Sequence, residues 1–535
     1  MDTPFKDILH TNTVPSDEEC QRIRELLAGP RKEAAQLTEE IERLHTLIRE
    51  LTEKRDNLNE FIDPHLALLS PARRIPHDVV AEIFAASLPP DRNAVIHVAE
   101  SPLLLCHICQ AWRSLALSTP RLWASLHIVG PPDTPKLHQI TEAVAWWLDK
   151  SGRLPLSISI VQSSTSRWDV DFSNLVQILL QYASRWQRIR FSLSSYHSFQ
   201  PLAALVPIDV PFLETVVFQG FPLNVEETFT AFLGTNSLRA VSLQGQGARS
   251  FSFQTLPWNR LCHLFLGSSV ACHTVAEGLE LLRRCPNLES CVLAFMIGVD
   301  NVPSPVGSAV ASAFTCHMQN LRRLSVLNFN HPDGTVEFFD LLELPNLRGL
   351  EYATYTVEEL PILPLLNSPQ HIQRLGLNVR KLTSETLISC LRLLPALQEL
   401  FLCSDPFSFH GSPDSHHSPD DKFLTAMTPT ANTIHTALCP QLEILEFTQF
   451  NGFPDRLLLQ FIRARVQSHF PEIAQLSKVH GSFQRPMTAD ILPALQGAIA
   501  DGLDLSLQYS PSPVGYSASQ QNLTYTNGEL LSDGW

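Results

Sequence analysis

Positive charge is scarce in this 535-residue chain: Lys+Arg number 39 against Asp+Glu 54, a formal net charge of −15. Nucleic acid and anionic membranes are held by clustered cations, so this balance argues against both as dedicated partners. Long apolar runs are missing as well. No stretch reaches the roughly 18 consecutive apolar residues of a membrane-spanning helix. The start, MDTPFKDILHTNTVPSDEE, has no basic segment leading into an apolar one, so no secretory signal is expected. Enzyme fingerprints are absent too: there is no Walker A, Rossmann glycine pattern, HExxH or GxSxG. Cys–His partners meet only in space, and spacing does not test them. No residue stands out as a nucleophile, so no catalytic residues are expected. The 11 cysteines form no dense framework; without a secretory signal they suggest reduced thiols in the cytoplasm or nucleus. Cys106 and Cys109 make a CxxC with no second pair of ligands nearby, so neither metal nor cofactor is expected.

What is present is core material. Hydrophobic residues make up 44% and charged residues 17%, enough for several domains or one long repeat array. Pro, at 39, outnumbers Gly, at 22, which punctuates the chain into short elements. Residues 1–15 read as a flexible start and 16–63 as helices. Ser16 and Glu19 form a capping box, and a helix is expected from about 17 to 28, with a break at Gly29-Pro30. A seam then follows in steps of three and four: Ala34, Leu37, Ile41, Leu44, Ile48, Leu51, Arg55, Leu58 and Ile62. Ala or Ile alternating with Leu suits a two-stranded parallel coiled coil, and Asp63-Pro64 should end it. Two readings stand: a parallel homodimer, or a helix folded back on its own domain.

From about 124 to 480 an apolar-x-x-apolar-x-apolar pattern recurs, from Trp186/Ile189/Phe191 through Leu264 and Leu324 to Leu442/Leu445/Phe447. Successive first residues lie 27, 25, 23, 27, 33, 26, 25, 25 and 45 apart, mostly in or near a 20–29-residue repeat period. Trp123/Leu126/Ile128 fits upstream, and 154–160 reads as a strand. Helical stretches fall between, at 274–284, 384–394 and 455–466. Each unit reads helix, Pro-bounded turn, strand, so that stacking buries a core no unit could bury alone. The array resembles leucine-rich repeats, without the usual Asn in its register after the strand. The fold expected is an α/β solenoid of parallel strands plus helices, with strands lining a concave face. Candidate partner contacts between the apolar positions are Glu214, Thr215, Arg239, Glu289, Arg322, Arg323, Arg348, Gln373, Arg374, Gln398, Glu399 and Glu443. Residues 481–507 read as a terminal helix and strand capping the array, and 508–535 as a disordered tail.

Two short amphipathic pieces precede the array, LSPARRIPHDVVAEIFAASLP and SPLLLCHICQAWRSLALSTPRLW. Ile75-Pro76, Ile83-Phe84 and Ile108-Cys109-Gln110-Ala111-Trp112 occupy the positions of an F-box pattern. Region 69–123 therefore resembles the F-box family, in the expanded form of mushroom-forming fungi. The departures are Ile75 in place of the usual Leu, and an insert from Pro89 to Ser101. The resemblance implies a small all-α unit that docks a Skp-type adaptor, and through it a cullin, in an SCF-type ubiquitin ligase. The residues it assigns to that contact are Ile75, Pro76, Val79, Val80, Ile83, Phe84, Ile108 and Trp112. The array would then hold a protein substrate. The rival reading is a non-ligase interaction scaffold. In the long interval at 404–422, His410, Asp414, His416, His417, Asp420 and Asp421 read as a surface loop rather than a metal site, and Ser412-Pro413 and Ser418-Pro419 as proline-directed phosphorylation sites.

Overall fold

The computed structural model describes residues 3–130, 134–162, 170–193, 195–222, 227–246, 256–266, 275–296, 315–329, 335–354, 360–366, 372–379, 382–403, 419–430, 437–450, 452–467 and 471–509. They form two compact units, one up to Ile83 and one from Phe84 onward. The loop residues 404–418, with both Ser-Pro pairs' serines, and the tail from 510 lie outside the described residues.

The first unit is dominated by one helix, α1 (Asp17–Leu69). It opens as the capping box requires, with the Ser16 N–H donating to Glu19 Oε2 at 2.8 Å and Ser16 Oγ accepting from the Glu19 N–H. It neither breaks at Gly29-Pro30 nor ends at Asp63-Pro64; both prolines lie inside it. Each proline removes one N–H from the ladder. The flanking segments QRIRELLA and RKEAAQLTEEIERL are rich in strong helix formers, which carry the backbone through. On an exposed helix the carbonyls left over turn to water. A 3-10 turn (Pro71–Arg74) then leads to α2 (His77–Ala86).

The second unit continues with α3 (Leu103–Ile108) and α4 (Gln110–Leu117), and then enters the sheet. Its strands are β1 (Ser125–Gly130), β2 (Leu156–Gln162), β3 (Trp186–Ser192), β4 (Thr215–Pro222), β5 (Ala240–Gln246), β6 (His263–Leu266), β7 (Ser290–Met296), β8 (Cys316–His317), β9 (Arg323–Phe329), β10 (Leu342–Glu343), β11 (Gly349–Thr354), β12 (Arg374–Asn378), β13 (Glu399–Cys403), β14 (Ile444–Phe450), β15 (Lys478–Phe483) and β16 (Asp504–Tyr509). Fourteen of them form one parallel sheet in chain order, while β8 and β10 pair separately. The connectors include α5 (Thr134–Lys150), α6 (Ser173–Leu180), α7 (Val275–Arg284), α8 (Thr335–Asp340), α9 (Leu363–Leu366), α10 (Ser384–Arg392), α11 (Asp421–Met427), α12 (Asp455–Val466) and α13 (Gln496–Ala500). This is the α/β solenoid-like arrangement the repeat period predicts. Between β3 and β6 the described connector residues form 3-10 turns rather than α-helices, and Pro201 and Pro207 lie in two of them.

The apolar triplets are the core. Leu264, Cys291, Leu324, Leu350, Leu375, Leu400 and Leu445 stand in register across β6 to β14 as one buried stripe. Burying each such side chain contributes roughly 1.5–3 kcal/mol. Helices cover this side of the sheet: Phe338 of α8 meets Phe295 of β7 with ring centroids 5.0 Å apart.

Two features depart from the expected repeat. An asparagine ladder exists, one residue before the first Leu instead of after the strand. Asn287 Nδ2 donates to Asn259 O at 2.6 Å, Asn320 Nδ2 to Pro286 O at 3.4 Å and Asn346 Nδ2 to Gln319 O at 2.8 Å, tying three successive turns each to the one before. The array also runs past 480, because β15 straddles that boundary and β16 pairs with β15 in parallel. The third apolar position of β15 is Gly481, where a Cβ would lie 2.2 Å from the Phe447 ring. A neighbour's aromatic fills the place of the missing side chain, which hides this unit from pattern reading.

Candidate functional site

In the first unit, Pro76, Val79 and Ile83 are exposed and Ile75 is half-buried. Val79 and Ile83, four residues apart on one face of α2, are 45% and 50% exposed. Val80 is buried. In the second unit Phe84 is also buried, Ile108 is 53% exposed and Trp112 is half-buried. The Phe84 and Trp112 rings meet edge to face at 4.9 Å. Of the eight residues the resemblance assigns to the adaptor, Val80 and Phe84 therefore point inward and the other six offer surface.

The insert 89–101 is tied to the sheet. Ala94 O accepts from the His127 N–H at 2.6 Å, Val95 bridges His127 in parallel, and Asn93 Nδ2 donates to Ser159 Oγ at 3.0 Å. Downstream, buried Trp123 donates from Nε1 to Ala116 O at 2.8 Å and packs against Trp147 at 4.8 Å, joining α4 to α5. Cys109 caps α4, its Sγ accepting from the Trp112 N–H. That is a structural use for one half of the CxxC. Burial pushes the thiols of Cys285, Cys390 and Cys439 up to about 12, far from thiolate chemistry. Among the described residues no cluster of His, Cys, Asp and Glu is arranged to hold a metal.

The sheet face away from the helices carries the other candidates, and the structure divides them. Thr215, Arg323, Arg374 and Glu399 open their strands and lie on that face. Glu214, Arg239, Glu289, Arg322, Arg348, Gln373, Gln398 and Glu443 sit one residue earlier. There each backbone N–H from Arg239 onward donates to an equivalent carbonyl of the preceding unit, as in Arg322 to Glu289 at 2.8 Å and Gln398 to Gln373 at 2.7 Å. These side chains line the sheet's entry edge rather than its face. Glu289, Gln319, Asn320, Arg322, Asn346 and Arg348 border a polar depression there. The correction follows from period-two alternation: of the two residues between consecutive core positions, only the second belongs to the strand. The residue between the second and third core positions is the centre of the face, and the apolar pattern does not single it out. It is Arg190 in β3, Glu351 in β11, Phe401 in β13 and Glu446 in β14.

Charges on this face are matched in its later half. Arg374 lies 3.5 Å from Glu351 and 3.2 Å from Glu399, with its guanidinium 4.2 Å over the Phe401 ring. Lys478 pairs with Glu446 at 2.7 Å, and His480 with Asp504 at 3.0 Å. Burial pushes the Glu351 carboxyl up to about 7, against the pull of Arg374. In the earlier half, burial and then the nearby Arg92 and Arg190 hold His127 below its ordinary value. The sheet also carries a small apolar cluster on this face, Phe265, Val292, Ala294 and Leu327, flanked by Ala353.

No protein-family profile and no curated protein matches the chain. Among solved structures, a structural-genomics target protein from Bacteroides fragilis is similar at 10% identity over 70% of this chain and 73% of that one. Its TM-score is 0.21, at which the likeness carries no argument. No helix among the described residues is long and apolar enough to cross a membrane.

Proposed function

We propose that the chain is the substrate-recognition subunit of an SCF-type ubiquitin ligase, docking a Skp-type adaptor through 69–123 and a target protein through the open face of the solenoid. The observation that carries this reading is the exposure of Val79 and Ile83. Two apolar side chains left in water on one helix face, in an Ile-Pro-entered helix of the F-box pattern, are anchors for helix-in-groove recognition. In this role the chain contributes no catalytic residue. It raises the local concentration of target near the ligase machinery, in the cytoplasm or nucleus. The test is co-purification of the full chain with a Skp-type adaptor, beside an Ile75→Ala/Pro76→Ala/Ile83→Ala variant. Capture by the wild type alone supports the reading. A folded wild type that captures no adaptor leaves the scaffold as the better reading.

The scaffold's own feature, self-association through α1, is favoured by a separate observation and is compatible with either role. The seam residues Leu37, Ile41, Leu44, Ile48, Leu51, Leu58 and Ile62 are each 42–59% exposed. We propose a parallel homodimer through this seam.

A further inference from the structure

The open face is not electrically uniform along its length. From β11 to β15 its carboxylates Glu351, Glu399 and Glu446 each meet an Arg or Lys on a neighbouring strand, and Asp504 of β16 lies beside His480. From β1 to β5 the described positions of the same face hold only Ser, Thr, Gln, Ala, Val, His and Arg. The ionisable groups among them are His127, Arg188 and Arg190, and no carboxylate accompanies them. Arg188 and Arg190 are exposed, and neither makes an ion pair or hydrogen bond with a described residue. Two free guanidiniums thus share one strand face in a chain whose net charge is −15.

Their surroundings suit an anion. Ser157 and Thr215 flank Arg188 in register, and Ser159 and Val217 flank Arg190. His127 stands two strands from Arg190 in the same row, its Nδ1 2.8 Å from Ser159 Oγ. Arg92, from the insert tied to β1, adds positive potential nearby, though its guanidinium is paired with Glu100 at 2.5 Å. The part-exposed Ser157 and Thr215 hydroxyls supply neutral donors beside Arg188, and among the described positions of this face no carboxylate competes for the two charges.

The spacing chooses the form of the ligand. Residues two apart on a strand are roughly 7 Å apart on one face, and the same distance separates alternate side chains of an extended peptide. We propose that the β1–β4 portion of the open face binds an extended acidic peptide segment whose carboxylates, at alternate positions, pair with Arg188 and Arg190. Arg is suited to this because its planar fork takes a carboxylate bidentately. The inference rests on reading the open face as the target-binding surface, and it is independent of adaptor docking.

The test is fluorescence anisotropy with the full chain and a labelled peptide carrying glutamates at alternate positions. Comparators are the same peptide with glutamines, one with a single phosphoserine, and an Arg188→Gln/Arg190→Gln variant. Arg239→Gln, at the sheet edge, is the control for a general loss of positive charge. Expected results are salt-sensitive binding of the glutamate peptide, none of the glutamine peptide, at least tenfold weaker binding by the double variant, and wild-type binding by Arg239→Gln. Matching thermal melts establish that the variants are folded. Three outcomes overturn the proposal: no binding by the wild type, equal binding by the double variant, or binding of the phosphoserine peptide alone. A chain that binds the glutamate peptide but captures no adaptor keeps this inference and removes the ligase reading.

Discussion

At the scale of single residues, two carboxylates report opposite balances. Glu351 sits mid-face, and burial lifts its carboxyl to about 7 even with Arg374 beside it. A folded-state value above the ordinary 4.5 means the fold prefers the protonated form. The stability that Glu351 contributes is then fully present below about 4.5 and is lost as pH rises through 7. Glu351→Gln mimics the protonated acid, and Arg374 keeps Glu399 as a partner. The variant should match the wild type near pH 5 and exceed it by roughly 1–3 kcal/mol at pH 8, in paired denaturant titrations. A variant less stable than the wild type at both pH values would place the net value of the ion pair above its burial cost. Asp455 is the reverse case. Burial pushes its carboxyl up, but Arg485 Nη2 at 2.7 Å, the Ala489 N–H at 2.9 Å and both donors of Thr488 outweigh it and hold it well below the usual range. Tyr509 Oη adds a fifth bond at 3.0 Å, linking α12 to the last strand. Asp455→Asn should cost about 3 kcal/mol, since it leaves Arg485 without its charge partner. The stability Asp455 contributes is present above its ordinary pKa and is lost as pH falls below it. A urea midpoint unchanged at neutral pH would refute this role.

At the scale of elements, period was legible and boundaries were less so. The three-apolar pattern located the main-sheet strands from β3 to β14 because each position is buried for the same reason in every unit, and it did not reveal the separate β8–β10 pair. The helices at 274–284, 384–394 and 455–466 appear as α7, α10 and α12 for the same cause. What escaped reading depends on neighbours. Gly481 is explained only by the Phe447 ring, and Arg465 only by the carbonyls of Met427, Leu438 and Cys439 that receive its guanidinium in the core. The site was half legible. Local pattern picked out Val79 and Ile83 as apolar at helical spacing, yet it did not separate them from Val80 and Phe84, whose burial is set by tertiary packing. For α1, the proposed dimer rests on a seam with Ile at one position and Leu at the other, a pattern that favours two parallel strands, with Arg55 as its polar exception. Seven half-open seam side chains per helix offer on the order of 1,000–1,500 Å² across a pair, enough for a specific interface. Sedimentation equilibrium should therefore give a dimer for the full chain and a monomer for Leu44→Glu/Leu51→Glu. Leu37→Cys and Leu58→Cys should each cross-link to themselves on mild oxidation. An antiparallel pair permits that at one of the two positions at most.

At the scale of the whole array, each unit's contacts are local: every strand in the sheet pairs with the strand of the adjacent unit, and the Asn and backbone ladders run from one turn to the next. Stability is then close to a sum of unit and nearest-neighbour interface terms rather than a property of one core. The position of a defect should matter as much as its size. Leu324, in the central stripe between Cys291 and Leu350, is 1% exposed, and Leu324→Ala should cost 2–5 kcal/mol by leaving a cavity. It removes coupling on both sides at once, so denaturant unfolding should broaden or separate into two steps. Leu505 stands in the equivalent row of β16, which pairs with β15 and no other described strand. Leu505→Ala should fray that strand and leave the amide protection of β7 to β11 unchanged in hydrogen exchange. If Leu505→Ala instead lowered protection evenly across the sheet, the array would be unfolding as one cooperative block. A ligand on the β1–β4 face would then stabilise the distant end as strongly as its own, whereas nearest-neighbour coupling predicts protection that decays with each unit away from β3.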